Sequence, residues 1–139
     1  MTMTSNSRPA FIGPHERDEL RRMLDGTKPL SMFVEPLDRE FDYFDEPQFD
    51  QYVSTGDFLK RIVIEKVEGP ERKEHAVRRV LYALKSEAWR IEAMLMVTEL
   101  YASLVPGWRP DLERMIGTLL GYDREDIENF IVHMTRSRP

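Results

Sequence analysis

The chain has 139 residues and a mass of 16.4 kDa, with 41% apolar and 32% charged residues, no cysteine and a formal net charge of −5. That size and balance suit one folded domain, and the missing cysteine excludes a disulfide framework and any thiolate-held metal. No apolar run approaches the roughly 20 residues of a membrane span, MTMTSNSRPA lacks the basic start and greasy centre of a signal peptide, and the acidic balance opposes indiscriminate binding to nucleic acid or anionic lipid, so a soluble cytoplasmic protein is expected.

Residues 1–9, polar and closed by Pro9, read as a flexible tail, and residues 10–139 as a single α+β domain. AFIG makes a short strand or extended entry. In GPHERDELRRMLDG, Pro14 sits at a first helical position, acids come early, Arg21 and Arg22 come late and Gly26 lies just past the end, which predicts a helix of about three turns. KPLSMFVEP then places Leu30, Met32 and Val34 on one face of a strand over 29–35. Residues 36–46 read as an acidic loop that Phe41, Tyr43 and Phe44 could pin to the body, and Pro47 opens a short helix that stops before Gly56.

Residues 58–85 pose the main ambiguity. A continuous helix over 71–104 would be far longer than the usual three turns, so a β-hairpin is preferred, 58–67 paired with 76–85 and Gly69-Pro70 in the turn. Its consecutive apolar residues, Ile62-Val63-Ile64 and Val80-Leu81-Tyr82, suggest strands covered on both faces, by helices or by another subunit. Ser86 is a ready N-cap for a helix over 86–104, stopped at Pro106-Gly107. Within it Met94, Leu95, Met96 and Val97 follow one another about 100° apart, so no single face can bury them all. Such a helix is central to the core, or one of its faces meets a symmetry mate. Further helices follow over 111–120 and 124–134, the second capped by Asp123.

Charge is unevenly spread. Residues 35–50 carry seven acids against Arg39, and residues 60–90 carry nine bases against five acids. These read either as two solvated surfaces that help set the fold or the register of a dimer, or as a docking patch for a partner.

No phosphate-loop, dinucleotide, serine-hydrolase or zinc-protease pattern occurs, and no cofactor is expected. His15, His75 and His133 have no i, i+4 partner, and the carboxylates of DREFDYF lack the glycine and the terminal acid of a calcium loop, so metal binding is not expected. His15 and Glu16, beside a helix start, form a candidate acid–base or contact pair, although neighbours on a helix point about 100° apart. Trp89 and Arg90 could stack on or clamp a planar or anionic ligand, or else fill core beside Glu87. Trp108, in PGWRP, is either a loop contact or a plug. MIGTLLGYDREDIENFI has helix-turn-helix grammar over 111–134, yet residues 123–135 hold four acids against Arg124, an unfavourable charge for a helix between phosphates.

GPHERDEL, EAWRIEAMLMV and LERMIGTLLGY, in this order and with Trp108 before the last, resemble the small RsaM-type proteins found beside acyl-homoserine-lactone quorum-sensing systems. That resemblance implies an α+β homodimer that lowers signal production and tunes the circuit, with no recognised DNA-binding domain and no established enzymatic activity. Trp89, Arg90, Trp108, Gly117, Gly121 and Tyr122 lie in the stretches that carry the likeness, and it transfers no catalytic residue. The resulting expectation is a non-enzymatic regulator acting with an unidentified protein partner. The alternatives are direct DNA binding through 111–134, and a small enzyme or ligand-binding protein with a pocket near Trp89 and Arg90.

Overall fold

A computed structural model describes residues 18–37, 44–68, 74–104 and 107–137. The tail, AFIG, His15, Glu16, Gly69-Pro70 and Pro106 lie outside the described residues. The elements are α1 (Glu19–Leu24), β1 (Leu30–Pro36), α2 (Glu46–Ser54), β2 (Phe58–Glu68), β3 (Glu74–Leu84), a 3-10 turn (Lys85–Glu87), α3 (Trp89–Ser103), α4 (Pro110–Leu119) and α5 (Arg124–Arg136). The expected α+β class, antiparallel sheet and helical C-terminal half are all present. The backbone forms two compact units, one of residues Pro29–Glu92 and one combining Met1–Lys28 with Ala93–Pro139.

The first unit is built on the sheet, ordered β1-β3-β2 and antiparallel throughout. The hairpin register runs unbroken from Phe58↔Leu84 to Glu68↔Glu74, so the preferred reading of 58–85 holds. Side chains alternate across the pleat. One face therefore presents Phe33, Phe58, Lys60, Ile62, Ile64, Arg78, Val80 and Tyr82, and the other Leu30, Met32, Leu59, Arg61, Val63, Glu65, Arg79, Leu81 and Ala83. On the first face, α2 lays down Phe49, which sits 4.9 Å from the Tyr82 ring and 5.3 Å from Phe33, while Phe44 stacks on Phe33 at 4.0 Å. Phe44 thus pins the end of the acidic loop as expected. The α2 helix opens on Asp45, whose carboxylate accepts from the Gln48 amide. It closes at Gly56, whose φ of +87° lets the amides of Gly56 and Asp57 turn back onto the carbonyls of Val53 and Tyr52.

Coverage of the strands is less complete than their apolar runs imply. Leu30, Val80, Leu81 and Ala83 are buried, but Ile62 and Ile64 on β2 are exposed. The position of β2 at the sheet edge explains this, since only β3 flanks it among the described strands.

In the second unit α4 and α5 form a tight corner. A Cβ on Gly117 would meet Ile127 Cγ1 at 2.8 Å, so a glycine there allows α5 to approach α4 closely. Buried Ile127 and Ile131 face inward, and Arg114 grips Glu128 with two hydrogen bonds of 2.8 and 3.1 Å. Gly121, at φ +84°, ends α4 by returning the Tyr122 amide to the Gly117 carbonyl. Two capping expectations need correction. Asp123 occupies the N-cap of α5 but its side chain makes no capping hydrogen bond. Ser86 lies inside the 3-10 turn, because the Lys85 amide is still bonded to Asp57 at the end of the sheet and α3 opens only at Trp89.

Candidate functional site

The oppositely charged segments meet each other. Lys60, on β2, donates to Glu46 at 2.8 Å and to Asp50 at 2.7 Å, both on α2. Arg78, on β3, bonds Glu35 at 2.7 Å and Glu46 at 2.9 Å, and the Tyr82 hydroxyl donates to Asp50 at 2.8 Å. Acids of 35–50 and bases of 60–90 thus close over one sheet face, in line with the fold-setting reading of the two patches. Hydrogen bonding to Arg78 holds the Glu46 carboxyl down at about 2. Burial and the bond to Asp50 push the Tyr82 phenol up, so it remains a neutral donor. Burial draws the Lys60 ammonium down, but its two carboxylate partners outweigh that and raise it. Glu46, Lys60 and Arg78 are thus held charged at neutral pH and Tyr82 neutral. The cluster is a clasp that seats α2 on the sheet.

The clasp titrates in acid. The folded Glu46 pKa lies below its ordinary 4.5, so its contribution is complete above about 4.5 and disappears as pH falls toward 2. With Glu46 partly open to solvent, that contribution is about 2 kcal/mol or less. Glu46→Gln should lower stability at pH 7 by about this amount and flatten the loss between about pH 5 and 2, as read by urea unfolding. Identical acid profiles for the two proteins would refute the assignment.

Lys28 escapes sequence reading altogether. It is 1% exposed, its Nζ donates to the Leu120 carbonyl at 2.8 Å, at the end of α4, and it lies 4.8 Å from the centre of the Tyr122 ring. Burial lowers its pKa from 10.5 to about 7, with Glu19 pulling it back up and Arg22 adding to the fall. Nothing local marks a lysine between Thr27 and Pro29 as buried. Its burial comes from the end of α4, more than ninety positions along the chain.

Of the residues singled out from the sequence, Trp89 is exposed and Arg90 is not free to clamp a ligand. The Arg90 guanidinium is 4.7 Å from the Trp89 ring centre, and its Nε donates to Glu87 at 2.6 Å. That pairing is the structural alternative for the arginine, while the indole stays open. Trp108 is docked: Nε1 donates to Thr135 at 3.0 Å and the ring lies 6.3 Å from Phe130, which makes it a brace between the loop and α5.

The four residues at the centre of α3 separate. Met94 is fully buried, Leu95 and Val97 are half-buried, and Met96 is 70% exposed. Met94 and Met96 are about 200° apart around the helix, so they point to opposite sides. Ile91 shares the buried side and Leu100, one turn beyond Met96, shares the open one. Enclosure of this helix by its own chain on every side is therefore not what is found. Among the described residues no three His, Asp or Glu side chains are placed to hold a metal ion, and no helix is long and apolar enough to cross a membrane. Compared with protein-family models, curated proteins and solved structures, the chain matches none of them.

Proposed function

We propose that this chain is a non-enzymatic cytoplasmic regulator that acts as a homodimer through contacts with a further regulatory protein, in an acyl-homoserine-lactone quorum-sensing circuit. The observation that supports action by contact is the open side of α3, where Met96 is 70% exposed and Leu100 stands one turn away. Water around a methionine and a leucine at that spacing is released when a partner covers them, which stabilises association by roughly 25 cal/mol for each Å² buried. Methionine, unbranched and polarisable, adapts to a partner's contours. The circuit itself is suggested by the likeness of the three sequence stretches to RsaM-type proteins.

The test is co-expression with a signal synthase and its receptor in a host that has neither. The chain should change signal accumulation several-fold, and Met96→Lys should abolish that change while leaving the thermal midpoint within about 2 °C, as befits an exposed site. No change in signal with the unaltered chain would remove the quorum-sensing reading. A fully active Met96→Lys protein would remove α3 as the contact surface.

A further inference from the structure

The exposed edge of the sheet carries its own pairing pattern. β2 is 11 residues long, has no proline and keeps one register with β3 from end to end, so it contains no bulge. Among the described residues no strand pairs with its outer side. Ile62 and Ile64 stand 42% and 56% exposed on one face, and Leu59 is exposed on the other. Long, straight edge strands pair with another strand unless proline, bulges or unneutralised inward charges prevent it, and the inward Lys60 is already paired with Glu46 and Asp50.

The sequence of β2 is complementary to itself when reversed. An antiparallel copy related by a two-fold axis at Val63 places Ile62 opposite Ile64 on one face, and Arg61 opposite Glu65 on the other, each pair occurring twice. Moving the axis to Ile62 sets Arg61 against Val63 and Leu59 against Glu65. Moving it to Ile64 sets Ile62 against Lys66 and Val63 against Glu65. Only the axis at Val63 matches apolar with apolar and opposite charge with opposite charge. Lys60 then faces Lys66, but Lys60 is already neutralised by Glu46 and Asp50. Arg61 is bonded to Glu92 and Glu65 to Arg79 within the chain, so the new contacts would extend these into a line of alternating sign.

We propose that a second copy of this chain pairs antiparallel along β2 about an axis at Val63, joining two three-stranded sheets into one of six strands. It rests on the self-association stated above and names the surface responsible.

The chain has no cysteine, so a single introduced thiol reports the register. At the axis the two Val63 Cα atoms would lie about 4.5–5.5 Å apart, inside the range that a disulfide spans. The two Leu59 residues would be about 27 Å apart along the strands, well beyond it. Val63→Cys should form a disulfide-linked dimer under mild oxidation, and Leu59→Cys should not. Ile64→Lys, at an exposed position, should keep its circular dichroism and thermal midpoint while its mass by light scattering falls from twice 16.4 kDa to once. A dimer that survives Ile64→Lys, an unlinked Val63→Cys dimer, or equal linkage at both cysteines overturns the edge pairing and leaves self-association by another surface standing. A wild-type chain that stays at 16.4 kDa across micromolar concentrations overturns both. Loss of dimer on adding an unrelated β-strand peptide, with Val63→Cys unlinked, identifies the edge as a site for a foreign strand and overturns the proposal as well.

Discussion

Lys28→Met should make the protein more stable by about 2 kcal/mol at pH 6, an advantage that falls once pH passes 7, is gone by about pH 8.5 and reverses above it. Lys28 titrates near 7 in the folded chain and at its ordinary 10.5 when unfolded. Below pH 7 both states carry the proton, and the folded state bears the full cost of a buried ammonium. Between 7 and 10.5 the unfolded chain holds a proton that the folded one has released, so wild-type stability rises with pH by up to about 1.4 kcal/mol per unit. Methionine has a similar length, leaves no charge in the site, and removes this dependence. The gain at pH 6 is smaller than the whole titration span because the Leu120 carbonyl loses its donor, which costs about 1–2 kcal/mol. The difference in unfolding free energy between the two proteins, measured in urea at several pH values, should therefore slope by nearly one proton across this window. Parallel profiles would mean that Lys28 is solvated.

Phe49→Ala should cost about 3–5 kcal/mol, a third or more of the stability of a typical domain. Phe49 is buried and in ring contact with Phe33, Phe44, Phe58 and Tyr82, so truncation leaves a cavity at the centre of the cluster. The consequence reaches the ions. Glu46 and Asp50 hold Lys60, Arg78 and Tyr82 only while α2 lies on the sheet, and Phe49 is the residue that anchors it. Phe49→Ala should thus weaken the acid dependence assigned to Glu46, and combining it with Glu46→Gln should cost less than the sum of the two alone. Additive effects, or a cost near 1 kcal/mol, would show that the clasp and the aromatic cluster act independently.

Much of the local architecture was legible in the residues themselves. Gly56 and Gly121 mark helix ends because the closing turn requires a positive φ, and the hairpin outranked a helix over 71–104 because that helix would be far longer than the usual three turns. Side-chain spacing around α3 showed that Met94 to Val97 could not share one face, since 100° per residue is a property of any helix. The likeness to RsaM-type proteins supplied a circuit, which geometry does not address.

Tertiary structure alone decided the rest. Periodicity states that two faces differ and leaves open which one is covered, so only the fold could place Met94 inward and Met96 outward. Composition gave two patches of opposite charge, but their closing over one sheet face depends on β3 lying between β1 and β2 and on α2 crossing it. Lys28 is the clearest case. A lysine's burial is set by what arrives from elsewhere, here the carbonyl of Leu120 and the ring of Tyr122, and no local pattern encodes an interaction across that length of chain.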